Sequence, residues 1–484
     1  MTAIELGVDL SPFVDALITG NSEQIIAVAR EHLQHNESAS VLIGRIGMIA
    51  AQGDTEGHTV ITLAAAAMLS RLLFTIPAPV GSDGQAASEE RALPLFVQAL
   101  LAAAPAVRAG HTVKPEYPRP LFPSELLDTG KTVNDVMREA VQKNDTTLAE
   151  RALFGLYGTG ADYRTMQVRA YDSISTTFQN AGHPLMFAVR GFQLLDAVEW
   201  GDRAPTIIHW LAPHLPLRPN VEEPGWIEAV RAYTADSAHS LASIRKRLSA
   251  PKDTNALPLR QLILSNADTT QVCQGVYDAV IKGEASPRAV GSVIALAASD
   301  VMSMVGDGDR EHFVYAAHGL LFSAAARLVF RQVQDVEALP LLFTSASYVN
   351  ALRKEIAAQQ GSAQQQQAAP AGSAALGGGL IAAAQLEALA AQLKAQDLNG
   401  ALTTARRYLK LGHDPRALVA TIGLAAAATD ALADQGHTLQ IVQAAGEEFM
   451  AWPASLADTN PEGFLQIALR AAAFGKRSSV IENL

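Results

Sequence analysis

Four histidines stand at matching places in the chain. His58, His183, His312 and His437 each follow a short polar turn and open an apolar stretch, as in Gly57-His58-Thr59-Val60, Gly182-His183-Pro184-Leu185, Glu311-His312-Phe313-Val314 and Gly436-His437-Thr438-Leu439. Their spacings are 125, 129 and 125 residues. Imidazole titrates near neutrality and ligates transition metals, so convergent histidines would serve acid/base or metal chemistry. If segments face one another about a pseudo-dyad, His183 meets His312 and His58 meets His437. His183 and His312 are then the candidate catalytic or metal-binding pair, with His58 and His437 as further candidate metal ligands. The competing reading is structural: a histidine opening a buried helix needs one hydrogen-bond partner and no ligand.

Around His183 the chain is richest in functional side chains. Positions 183, 187 and 190 share one helical face, which places an imidazole, the Phe187 ring and the Arg190 guanidinium together. Arg190 could orient an anionic or carbonyl oxygen there. It could equally pair with Asp196, Glu199 or Asp202 at the surface, a contact contributing about 1 kcal/mol or less. His312 and His318, six residues apart, fall on different sides of one helix, and His32 with His35 sit at a helix end beside Glu31 and Glu37.

Other chemistries are excluded by motif. No Gly-x-Gly-x-x-Gly follows a strand, and neither a Walker lysine motif nor a Gly-x-Ser-x-Gly elbow is present. Asp307-Gly308-Asp309 lacks the closing glutamate of a calcium loop, and Glu447-Glu448 lacks the Glu-x-x-His spacing of a di-iron bundle. Cys273, the single cysteine, sits between Val272 and Val276 as a buried, inert thiol and rules out an intrachain iron–sulfur cluster.

The elements that must position the histidines are helices. Hydrophobic residues make up 49% of the 484, aromatics only 6%, and runs such as Ala64 to Ala67 favour close helix packing over sheets. Upstream of each histidine, two helices are joined by a short turn, at Gly20-Asn21-Ser22, Asn144-Asp145, Asn266-Ala267-Asp268 and Gln396-Asp397, whose side chains suit helix caps. A third helix follows, with Pro287 and Pro415 at first-turn positions. The expected fold is an all-α tandem helical-repeat bundle of four related units of about 125 residues. The units span 1–110, 131–245, 255–356 and 380–484, with a Pro-rich connector at 111–130 and a Gln/Ala/Gly linker at 357–379. Gly81 to Glu89 reads as a small-residue loop.

The net charge of −11 argues against nucleic acid or an anionic membrane as partner. Glu5, Asp9 and Asp15 at the amino terminus suit no secretory or mitochondrial leader, and the apolar run from Thr59 to Ser70 is short for a bilayer span. The expectation is a cytoplasmic protein, with an oligomer compatible.

Gly182-His183-Pro184-Leu185-Met186-Phe187 through Asp196 and Trp200-Gly201-Asp202, with His312 through Ala326 and Ala346-Ser347-Tyr348, resembles the helical region preceding the cluster module in bacterial Rieske-associated proteins. More remotely, both histidine-led helices are similar to those of the questin oxidase-like family, which includes fungal Baeyer–Villiger-type oxygenases. The resemblance covers Thr132 to Glu355 and implies His183 and His312 as the centre of a site. With one cysteine, the chain departs from its cluster-bearing relatives. Two functions follow as expectations. One is an oxidoreductase-like enzyme acting on an apolar or aromatic small molecule, with a metal as cofactor if any. The other is a non-catalytic helical scaffold that binds another protein or a ligand.

Overall fold

The computed structural model of the protein describes residues 4–5, 8–35, 38–77, 84–160, 163–198, 200–241, 251–332, 336–360, 381–482 and 484. Among these the fold is all-α. The exceptions are a two-residue antiparallel ladder between Ile4–Glu5 and Val8–Asp9 and a single antiparallel bridge between Thr429 and Arg477.

Local chemistry sets the helix boundaries where the sequence places them. At each of the four expected breaks a polar side chain caps the next helix: Asn21 accepts from the Glu23 and Gln24 amides, Asp145 from Leu148, Asp268 from Gln271 and Asp397 from Gly400. Such a cap contributes about 1 kcal/mol over alanine. Pro287 and Pro415 open the third helices of their segments, behind the caps Ser286 and Asp414. Two expectations change. The stretch read as a loop to Glu89 is already helical from Gly84, in a helix that runs to Gly110 with Pro94 and Pro105 inside it, while 81–83 lies outside the described residues. The helix Pro340–Gln360 continues into the expected linker, most of which also lies outside the described residues.

At the centre stand four helices, His58–Ser70, His183–Val198, Arg310–Gln332 and His437–Met450. They pack as a ring: the first touches the second and fourth, and the third touches the same two. Each is covered from outside, for example by Ala39–Ala50 on the first two and by Pro287–Ser303 on the third. Gly44 and Gly47 allow the first of these contacts, since a Cβ there would lie 2.4 Å from Val198 Cγ1 and 2.6 Å from Leu194 Cδ2.

All four central helices point the same way. The Gln440 amide donates to Thr62 Oγ1 at 3.0 Å, three and four residues past their histidines, and further along Arg190 meets Glu447 at 3.5 Å and Arg327 meets Glu448. Four amino termini therefore share one end. The C-terminal segment is tied to the rest by buried polar contacts as well as apolar ones, with Gln98 donating to the Thr429 carbonyl at 2.8 Å and Arg310 to Asp434 at 2.5 Å.

Three helical stretches are long and apolar enough to cross a bilayer: His58–Thr75, Glu90–Gly110 and Arg310–Arg331. The sequence reading noticed only the first, because Pro94, Pro105 and Arg327 interrupt the other two. They are packed largely inside the protein, and 89% of the Arg310–Arg331 stretch is buried. The apolarity of His58–Thr75 and Arg310–Arg331 has a local cause in the central position of their helices, and 72% of the Glu90–Gly110 stretch is buried against its neighbours.

Candidate metal centre

The shared end of the four helices brings four imidazoles together. The rings of His58, His183, His318 and His437 occupy the corners of a near square, with centroid separations of 4.8 Å (58–183), 5.0 Å (183–318), 4.9 Å (318–437) and 5.6 Å (437–58). His58 and His437 are thus neighbours, as the sequence suggested, whereas His183 meets His58 and His318 rather than His312.

His312 lies outside the square. It is half-exposed on the outer turn of its helix, where its Nδ1 bonds the Asp309 carboxylate at 2.7 Å. The Arg310–Gln332 helix starts about two turns before the level of the other histidines, so His318, six residues later, occupies the fourth corner. Equal spacing pointed to the wrong histidine. A usable signal was the residue four positions on: Phe187 follows His183 and Phe322 follows His318 at the same interval, and both rings are buried.

Glycines make the approach possible. Gly57, Gly182 and Gly436 immediately precede three of the histidines with φ of +85°, +84° and +75°, a region L side chains rarely adopt. Each is covered by the next helix of the ring. A Cβ would lie 2.5 Å from Phe187 Cζ at Gly57, 2.3 Å from Phe322 Cδ2 at Gly182 and 2.0 Å from Thr62 Oγ1 at Gly436. The turn glycine and the residue four past the neighbouring histidine are therefore one packing unit. Asp54 and Asp434 hold two of these turns from below. Asp54 accepts from the Gly57 and Val60 amides at 3.1 and 2.8 Å, and Asp434 accepts from the Thr438 amide at 3.0 Å.

The rings are fixed through Nδ1. His183, His318 and His437 each bond the carbonyl three residues earlier: Asn180, Tyr315 at 3.2 Å and Asp434 at 2.5 Å. A carbonyl only accepts, so Nδ1 carries the hydrogen and Nε2 presents a bare lone pair. The Nδ1 of His58 faces the Glu56 carbonyl without an ordinary hydrogen bond. Backbone anchoring of this kind is the usual support behind a metal-bound imidazole.

The Nε2 atoms have nowhere to go but inward. Those of His318 and His437 are 3.2 Å apart, and that of His183 is buried without any partner. One ring nitrogen from each of His58, His183 and His437 lies within 4.8 Å of the others, so inward movements of up to about 0.7 Å per ring would bring them to the ~2.0–2.1 Å bond length of a bound ion. Burial, and secondarily the neighbouring imidazoles, push His58 and His318 down to about 4 and His183 to about 2; burial also lowers His437. All four are therefore neutral at pH 7, the form that ligates. Positive helix termini around the site reinforce that neutrality and would increase the electrophilicity of an ion held there.

A cavity of about 270 Å³ opens beside His58, lined by Asp54, Glu56, Thr59, Thr62 and Gln435 with apolar Pro105 and Leu432. Its lining carries Asp54 and Glu56 and no lysine or arginine, so it does not suit an anion. Behind the square, Phe187 packs on His214, whose imidazole burial also holds down to about 4.

Arg190 does not reach the imidazoles. It is buried two turns along its helix, donating to Gln193 Oε1 at 2.6 Å and facing Glu447 at 3.5 Å, while Asp196, one of its three expected surface partners, instead accepts from Trp200. Cys273 is buried, with its thiol pushed up to about 11 by that burial, which agrees with an unreactive side chain.

No protein-family model matches the chain, and no curated protein or solved structure matches it.

Proposed function

We propose that the protein is a metal-dependent oxidoreductase in which His58, His183, His318 and His437 hold one first-row transition ion and a small apolar or aromatic molecule approaches it beside His58. The observation that carries this reading is the 3.2 Å between the Nε2 atoms of His318 and His437. With both Nδ1 hydrogens committed to carbonyls, two lone pairs oppose each other at that distance. A shared cation relieves the repulsion, and the lowered basicity of both rings disfavours a proton in that role.

An all-imidazole set suits iron, copper, nickel or zinc, and once bound such an ion supplies Lewis-acid or redox chemistry. The chain's own residues do the rest: the carbonyls of Asn180, Tyr315 and Asp434 orient the rings, and buried Phe187 and Phe322 exclude water from below. The choice of redox over hydrolytic chemistry rests on the resemblance of the His183 segment to questin oxidase-like helices. A non-catalytic scaffold would satisfy each histidine locally, and the partnerless Nε2 of His183 weighs against that. The same order of capped pair, third helix and histidine-bearing helix along the chain supports descent from a repeated unit.

Metal analysis of the purified protein tests the proposal. About one equivalent of iron or copper per chain, lost in His183→Ala, is expected. Protein that neither carries nor takes up a stoichiometric transition ion would end this reading.

A further inference from the structure

We infer that a cavity at the far end of the four central helices is a second binding site, for a small organic anion carrying an apolar arm and a hydroxyl. The cavity encloses about 670 Å³, within the ordinary range for small-molecule sites. It lies about 15 Å from the imidazoles, ten residues along the helix from His437 to Glu447 at 1.5 Å each. The inference stands independently of whether a metal binds.

Charge is the first observation. Arg71, Arg288, Arg331 and Arg416 line the cavity against only Asp414 and Glu447, in a protein whose net charge is −11. Asp414 is taken up by Arg416 at 2.9 Å. Glu447 is shared among three guanidiniums, Arg331 and Arg190 at 3.5 Å and Arg327 at 3.8 Å. Arg71 donates to Ser40 Oγ and the Asp196 carbonyl, and Arg288 to the Ala451 carbonyl. Those acceptors are neutral, so they hold the two side chains in place without cancelling their charge. An anion completes this set, and arginine forks favour planar carboxylates or phosphates.

The second observation is Gln443 in the inner wall. It is 4% exposed; its amide nitrogen donates to Glu447 at 2.8 Å, and its Oε1 is buried with no donor facing it. A buried acceptor without a partner costs about 1–3 kcal/mol, and a small rotation of the side chain toward the cavity would let a ligand hydroxyl remove that cost. Met68, Leu69, Leu72, Val419 and Met450 supply the apolar wall for the remainder of the molecule.

Isothermal titration of the full chain with 2-hydroxyoctanoate tests the site, with 1,2-octanediol as the neutral analogue and Arg288→Met and Arg288→Met/Arg331→Met as variants. Expected are one saturable site per chain, at least tenfold weaker binding of the diol, and at least tenfold weaker acid binding in the double variant with its melting temperature and metal content unchanged. Should the double variant fail to fold, the single variant must show at least a threefold loss. No saturable binding, equal affinity for the diol, or undiminished affinity in the folded variants overturns the inference.

Discussion

His318 and His437 direct their Nε2 atoms at each other across 3.2 Å, although 119 residues separate them in the chain. Neither ring can donate to the other while its Nδ1 hydrogen is held by the backbone. Two bare lone pairs therefore oppose each other across the bundle.

The first prediction separates two neighbouring histidines. Loading the protein with Co²⁺ and reading its visible d–d bands should give a ligand-field spectrum that His318→Ala abolishes or shifts strongly, with at least tenfold weaker metal binding. His312→Ala, which removes only an exposed contact to Asp309, should leave the spectrum and affinity unchanged. An effect of His312→Ala equal to that of His318→Ala would contradict the geometry.

The turn glycines give a second. Gly182→Ala places a methyl 2.3 Å from Phe322 and forces a side chain into φ of +84°. Strain of about 1–2 kcal/mol from the backbone alone adds to the displacement of a buried ring. Thermal or urea unfolding should show a loss of about 2–4 kcal/mol, with weakened metal binding because His183 moves with the turn. Gly130→Ala, where a Cβ meets nothing within 4 Å, should show only the backbone penalty.

A third concerns the buried ion pair of Arg327 and Glu448, both fully buried on facing helices. Removing one partner strands the other, so Arg327→Met should cost about 3–5 kcal/mol in urea denaturation. Arg327→Met/Glu448→Leu should recover most of that loss. A double variant no more stable than the single one would refute the pairing.

The fourth follows from the carboxyl of Glu448. Burial, the largest influence, pushes it up to about 7 against the pull of Arg327, while in an unfolded chain it titrates near 4.5. Between these values the folded protein keeps a proton that the unfolded chain has released. Stability should therefore decline as pH rises from about 4.5 to 7, by at most ~1.4 kcal/mol per pH unit from this group, and level off above. Glu448→Gln, which cannot titrate, should remove that component of the slope; an unaltered slope would show that Glu448 does not cause it.

The helical architecture was legible because its signals are local. Asn21, Asp145, Asp268 and Asp397 cap helices through bonds to amides two or three residues away, and such bonds are written in short stretches of sequence. Three of the four clustered histidines were legible for the same reason, since a glycine in the left-handed region precedes each. His318 was not, because it lies inside a helix that starts early and its selection depends on where Phe322 meets Gly182 across the bundle. Arg190 was assigned a partner within its own segment; its actual neighbour, Glu447, is 257 residues away and could be found only from the fold. Glu447-Glu448 was read only for a metal motif, which its spacing lacks, and its role beside the buried arginines left no trace in the local pattern.

The ring closes between the first and last of its helices, where the Thr62 hydroxyl lies 3.4 Å from the Gln435 carbonyl across 373 residues of chain. Each corner of the square comes from a different quarter of the polypeptide, so no fragment assembles it. Contacts of such long range are made late in folding, after the loops that separate them have closed. An ion bound there would act as a clasp on the finished topology, stabilising only chains that have joined beginning to end, and its release would report global unfolding rather than local fraying.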